Sequence, residues 1–213
     1  MNDENGVAAR ITALCLDDDG DLRWDTYLAI AVRGGLLVDL ALGGRLEQTE
    51  DSIDLDSTPT GWPPADAALG ELSSLDDQSL DWWLGHSQLG PDDVATALVQ
   101  DGSWEEVERR AWQRRRRFTE RDPQAGLEDL ALLEGIRAAQ SIEEAALLSI
   151  IDASGIPELR DPAPMRPEVL EAAGRVRWVC ELVADFIHTA QEASRAAGGV
   201  AGEPMWIPPV NPS

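Results

Sequence analysis

The sequence predicts a mainly α, single-domain fold carrying one or two small β-hairpins. Three observations predict it. The chain has 213 residues, 43% hydrophobic and 27% charged, which suits one packed core of ordinary size. Residues 25–42 are apolar almost all round, the pattern of a helix central to a core. Residues 127–152 and 166–197 are rich in alanine and leucine at helical spacing.

Residues 6–16 are apolar with Arg10 as the only charge. They read as a buried helix, with a strand as the alternative for so short a run. Asp17-Asp18-Asp19-Gly20-Asp21 forms a polar turn closed by Gly20. A calcium loop is the sharper reading of these acids. It fails at two positions, because Leu22 stands where the loop glycine belongs and Leu28 where the bidentate glutamate belongs. The helix of 25–42 starts at Asp25, whose carboxylate suits an N-cap. Gly34-Gly35 in its middle costs helix stability and predicts close approach of a neighbouring helix. Gly43-Gly44 ends it.

The Ile53/Leu55 alternation within 45–56 predicts a small hairpin turning near Asp51-Ser52. Thr58 to Pro64 is irregular. Short helices follow at about 64–74 and 77–85, the second carrying Trp82-Trp83. Pro91 fits the first turn of a helix that runs to Gln100 before Asp101-Gly102. Residues 103–121 leave hairpin and helix open. The two alanine-rich helical stretches are separated by Ile156 to Pro167, which contains four prolines. The domain is read as 6–197. Gly198 to Ser213 is a Gly/Pro-rich tail.

The composition excludes several functions. Acids outnumber bases 40 to 17 for a net charge of −23, and every base is arginine. Such a field repels phosphate, so a general nucleic-acid binder is not expected. Nonspecific adsorption to an anionic membrane is disfavoured for the same reason. Any polyanion must be met at a local basic site. The longest apolar stretch, Leu28 to Leu42, is broken by Arg33 and Asp39 and spans no bilayer. The acidic N-terminus lacks a signal-peptide pattern. Cys15 and Cys180 lie in apolar surroundings and read as buried thiols, with a disulfide or metal pair as the minor alternative. These features predict a cytoplasmic protein.

Three blocks carry a family resemblance. The first runs Leu14-Cys15-Leu16-Asp17-Asp18-Asp19-Gly20, then Trp24-Asp25-Thr26-Tyr27-Leu28, then Arg33-Gly34-Gly35-Leu36-Leu37-Val38-Asp39-Leu40-Ala41-Leu42-Gly43-Gly44-Arg45-Leu46. Pro59-Thr60-Gly61 with Asp66 and Leu69 continues it, and Ala97-Leu98-Val99-Gln100-Asp101-Gly102 follows. Over roughly residues 10 to 190 the chain resembles the Golgi phosphoprotein 3 family, and a bacterial member of it. Ala146-Leu147-Leu148 and Trp178-Val179 anchor the C-terminal half of the match. The resemblance implies a compact, mainly helical fold with one or two hairpins, one of them over 103–118. It also implies a non-enzymatic peripheral adaptor. The family's eukaryotic members bind phosphatidylinositol 4-phosphate in a surface pocket built with a tryptophan and an arginine. By position these correspond to Trp24 and Arg33. Two further pocket arginines fall at Gln88 and Pro91, neither of them basic. The arginine-bearing N-terminal arm of those members is not expected in the nine residues before Arg10.

Chemistry supports the first pair. A phosphate monoester headgroup needs a forked cation, and arginine offers two parallel donors. A tryptophan beside it packs on the sugar ring or dips into the membrane interface. Nine residues on an ideal helix turn through about 900°, which puts Trp24 and Arg33 on opposite faces. They share a pocket only if Trp24 precedes the helix, as an N-cap at Asp25 requires. The competing reading makes Trp24 a hydrophobic staple and pairs Arg33 with a carboxylate such as Asp39.

The second candidate is the arginine run. Arg109, Arg110, Arg114, Arg115, Arg116 and Arg117 fall within nine residues, and 104–118 carries a net charge of +3. As a strand, this segment puts Arg114 and Arg116 on one face and Arg115 and Arg117 on the other. The run could pair with acids of the same chain or of a second subunit, or form a basic patch that replaces the missing headgroup cations. Placement on the face of Arg33 would favour lipid contact; facing another copy would favour an oligomerisation hairpin.

No catalytic residue, metal ligand set or cofactor motif is expected. The two histidines, His86 and His188, fall in no zinc pattern, and neither a nucleophile elbow nor a phosphate-binding glycine loop occurs. The predicted partner is an anionic, phosphoinositide-like phospholipid headgroup met at the membrane periphery. A soluble interaction or oligomerisation module, binding a protein or a second copy, is the alternative. Pro204-Met205-Trp206-Ile207-Pro208-Pro209 reads either as a disordered tail or as an extended peptide that docks in a groove.

Overall fold

A computed structural model describes residues 6–23, 25–50, 52–75, 79–107, 116–156 and 161–196. Among them the chain forms nine α-helices and two antiparallel hairpins. The order is α1 (Val7–Leu14), α2 (Thr26–Leu42), β1 (Leu46–Gln48), β2 (Ile53–Leu55), α3 (Pro63–Ser73), α4 (Leu80–His86) and α5 (Pro91–Asp101). Then come β3 (Trp104–Val107), β4 (Arg117–Glu120), α6 (Gln124–Leu133), α7 (Ile142–Ser154), α8 (Pro167–Ala172) and α9 (Arg177–Ala196). The predicted mainly α class holds.

Helix α2 is the axis of the core, packed against α1, α7 and α9 and touched by α3, α4 and α5. It begins at the predicted N-cap: Asp25 Oδ1 accepts from the Tyr27 amide at 2.7 Å. The glycine pair admits two helices, not one. A Cβ on Gly34 would lie 2.6 Å from Val183 Cγ1 of α9, and a Cβ on Gly35 would lie 2.7 Å from the Ala8 Cα of α1. The helix propensity lost at each glycine is thus exchanged for close packing on both sides.

Asp39 completes the α1–α2 junction. The N-cap of α1 is Gly6, which has no side chain to cap with. Asp39 reaches from α2 instead, Oδ1 accepting from the Val7 amide at 2.7 Å and Oδ2 from the Ala8 amide at 3.1 Å. Two free donors of the first turn are satisfied by a negative charge at the positive end of the helix.

Both hairpins form. Leu46 pairs with Leu55 and Gln48 with Ile53 in the first; Trp104 pairs with Glu120 and Val107 with Arg117 in the second. Among the described residues of 103–121, Trp104–Val107 and Arg117–Glu120 are therefore strands. Trp104 and Phe118 pack with ring centroids 5.9 Å apart on the buried face. The acidic turn of residues 17–21 docks beside β4, where the Phe118 amide donates to the Gly20 carbonyl at 2.8 Å. Gly20 adopts φ +81°, and a Cβ there would meet the Phe118 oxygen at 2.4 Å, so glycine is required. Asp17 Oδ1 accepts from the Asp19 and Asp21 amides, both at 2.9 Å. This carboxylate shapes the turn.

Two helical stretches divide where the sequence reading had them continuous. Residues 127–152 become α6 and α7, separated at Gly135 with φ +74°. Ser141 opens α7, its Oγ accepting from the Glu144 amide at 3.2 Å. Residues 166–197 divide into α8 and α9 around a 3₁₀ turn at Gly174–Val176, where Gly174 has φ +54°. Helix α4 starts at Leu80, three residues later than 77, because Ser79 caps it. Cys15 and Cys180 are both buried free thiols, and burial pushes each up to about 12. Among the described residues, no helix is long and apolar enough to cross a membrane.

Candidate functional site

Arg33 sits near the middle of α2 and is only 6% exposed. Its Nε donates to the Ala29 carbonyl of its own helix at 3.1 Å, and its Nη1 donates to the Ser87 carbonyl at 2.5 Å. Among the described residues no carboxylate lies within ion-pairing distance of it. Asp39, the partner considered from sequence, is occupied with the start of α1. Burial lowers the guanidinium to about 10, while Glu71 on α3 acts in the opposite direction. The group therefore stays cationic at neutral pH, inside the protein, with Glu71 as a neighbouring rather than a bonded counter-charge. Glu71 itself accepts from the Trp83 indole N–H at 2.7 Å.

The wall opposite Arg33 is the connection between α4 and α5, residues 87–90. It is held from both ends. The Ser87 amide donates to the Trp83 carbonyl at 2.9 Å, and the Gly90 amide donates to Asp93 Oδ2 at 2.9 Å. Within it the Leu89 amide donates to Ser87 Oγ at 3.1 Å. Gln88 is exposed, its Nε2 donating to the His86 carbonyl at 3.2 Å, and Pro91 is buried at the first position of α5. Neither position adds a cation. Just before this wall, His86 stacks on the half-exposed Trp82 with parallel rings 4.3 Å apart. The Trp82–His86 spacing of four on a short helix is the sequence signal for this stack.

Trp24 lies outside the described residues, as do Arg109, Arg110, Arg114 and Arg115. The two arginines of the run that are described are bonded within the chain. Arg116 forms a forked pair with Glu106, Nε to Oε1 at 3.1 Å and Nη2 to Oε2 at 2.8 Å. Its Nη1 donates to Thr96 Oγ1 at 2.7 Å, and its guanidinium lies 4.9 Å from the Phe118 ring centre. Arg117 donates to the Asp19 carbonyl. None of these contacts joins Arg116 or Arg117 to Arg33 or Ser87.

The fold and this geometry define a mainly helical domain built round one axial helix, with a buried arginine hydrogen-bonded to the α4–α5 connection. A family model described as Golgi phosphoprotein 3 (GPP34) matches residues 7–192. The chain belongs to the Golgi phosphoprotein 3 family. Comparison with curated proteins gave no match.

Proposed function

We propose that this chain is a non-enzymatic peripheral adaptor that holds an anionic, phosphate-bearing lipid headgroup of the phosphoinositide kind. Arg33 is the fixed cation and Trp24 packs beside the bound group. One observation carries the reading: a guanidinium buried in α2 keeps its charge at neutral pH and, among the described residues, has no bonded carboxylate. An uncompensated buried cation is costly unless something pairs with it. A phosphate is the partner whose geometry fits the fork. Family membership supports the same assignment.

A soluble interaction or oligomerisation module is the second reading. It is favoured by Gln88 and Pro91, which add no charge, and by the internal bonding of Arg116 and Arg117. The two readings separate by vesicle flotation. Neutral vesicles, generally anionic vesicles and vesicles doped with phosphatidylinositol 4-phosphate are compared at low and physiological salt. Arg33→Met, Trp24→Ala and a variant with Arg114 to Arg117 neutralised are run beside the native chain. Headgroup-selective binding that survives physiological salt and is lost in Arg33→Met is the expected result. Binding to any anionic vesicle, lost at physiological salt, would indicate a patch. No flotation under any condition would leave the soluble module.

A further inference from the structure

A phosphate monoester carries about 1.5 to 2 negative charges near neutral pH, so a single guanidinium matches only part of it. Gln88 and Pro91 add no cation beside Arg33. The exposed surface next to Arg33 does hold a basic side chain. His86 ends α4 and directly precedes Ser87, whose carbonyl accepts from Arg33 Nη1. Consecutive Cα atoms are about 3.8 Å apart, so His86 stands one step of chain from that carbonyl.

Two contacts within α4 hold the His86 ring. Its Nδ1 lies 2.8 Å from the Trp82 carbonyl. A carbonyl only accepts, so Nδ1 carries a proton in either charge state, and Nε2 is the nitrogen left to gain one. Nε2 lies on the side of the ring away from that carbonyl, on an exposed side chain. The second contact is the indole of Trp82, stacked on the imidazole with centroids 4.3 Å apart and planes 5° from parallel. Trp82 is itself 40% exposed. An aromatic face attracts a cation laid over it, so this stack suits the imidazolium. Protonation then needs no change of ring orientation.

We propose that protonated His86 is a second cation of the headgroup site, its Nε2–H donating to the phosphate that Arg33 holds, so that binding tightens in mild acid. The inference rests on the headgroup reading above and adds to it a residue and a direction of pH dependence. The charged groups around α4 are engaged elsewhere. Arg33 of α2 donates to the Ser87 carbonyl, Glu71 of α3 accepts from the Trp83 indole, and Asp93 of α5 accepts from the Gly90 amide. Asp81 of α4 is raised by burial and then by the charge of Asp185 on α9. Among the described residues no carboxylate forms an ion pair with His86. Histidine takes up its proton between about pH 5 and 8, and a phosphate held by Arg33 would favour that uptake.

Calorimetric titration of a short-chain phosphatidylinositol 4-phosphate at pH 5.5 and 7.5 tests this, with His86→Gln and His86→Arg beside the native chain. His86 is exposed, so neither change disturbs the core. The phosphate monoester itself loses charge over this range, so native and variant are compared at the same pH. The native chain is expected to bind about tenfold more tightly than His86→Gln at pH 5.5, and within about twofold of it at pH 7.5. His86→Arg, a permanent cation, is expected to bind more tightly than the native chain at pH 7.5 and equally at pH 5.5. Equal affinity of the native chain and His86→Gln at pH 5.5 would overturn the assignment and leave Arg33 as the headgroup cation. The same loss in His86→Gln at both pH values would also overturn it, because His86 would then only shape the α4–α5 connection. A native chain that binds at neither pH would overturn it together with the headgroup reading.

Discussion

Arg33 Nη1 donates to the Ser87 carbonyl at 2.5 Å, across 54 positions of sequence. That bond joins the axial helix to the connection between α4 and α5. It uses an arginine where a neutral residue would have been cheaper to bury. Of the positions that would share the load of an anion, Gln88 lies within that connection and Pro91 opens α5 directly after it.

The first prediction concerns stability. Removing a buried cation that has no ion pair among the described residues relieves its desolvation, and methionine fills a similar volume. Arg33→Met is expected to be as stable as the native chain or more so, within about 1 kcal/mol of neutral on the unfavourable side. Urea denaturation measures it. A loss of about 3 kcal/mol or more would mean that Arg33 is a structural pin, since breaking a well-used buried pair costs that much.

Asp39 is the opposite case. Its carboxylate satisfies two buried amides at the start of α1. Asp39→Ala is expected to lose about 2–4 kcal/mol, the cost of two buried donors left unmade and of a lost cap. Fraying should be confined to α1, visible as faster amide exchange at Val7 and Ala8. Uniform loss of protection across the domain would contradict the local role.

The glycine pair predicts overpacking. Gly34→Ala and Gly35→Ala each gain helix propensity, yet each is expected to destabilise by about 1–3 kcal/mol because the new methyl has no room. Gly35→Ala should be the worse of the two. Its clash is with the Ala8 backbone, whereas at Gly34 the Val183 side chain can turn. Thermal melts rank them, and a stabilised Gly35→Ala would refute the close approach.

Glu120 gives a pH-dependent prediction. Burial, followed by the charges of Asp129 and Asp122, holds its carboxyl above the ordinary value. An acid raised in the folded state binds its proton more tightly there than in the unfolded chain. Its contribution therefore turns unfavourable as pH rises from the unfolded value through the folded one. Glu120→Gln should melt at the same temperature as the native protein below about pH 4 and higher at neutral pH. An equal difference at both pH values would contradict the assignment.

Much of the fold was legible because local rules and burial agreed. The apolar circumference of 25–42, the Asp25 cap and the Gly43-Gly44 stop all point the same way, and α2 forms where they say. The Ile53/Leu55 alternation fixed a hairpin whose register follows from its short turn. The breaks at Gly135 and Gly174 were missed because alanine and leucine continue on both sides of them. Periodicity cannot report a left-handed glycine; the Ser141–Glu144 cap was the better signal for the first break. The candidate site was half legible. Arg33 came from the family resemblance, but Ser87 was invisible to local reading, since a backbone carbonyl carries no side-chain signature. The pairing of Asp39 went wrong for a related reason. A buried carboxylate on an apolar helix suggests a cation, yet here two amides of another helix take that place.

The most direct measurement is calorimetric titration of a soluble, short-chain phosphatidylinositol 4-phosphate into the native chain and into Arg33→Met at physiological salt. A one-to-one binding heat in the native protein, with affinity reduced at least about tenfold in a folded Arg33→Met, is the predicted result. Equal affinity in the two proteins, or no heat in either, would contradict a headgroup site at Arg33.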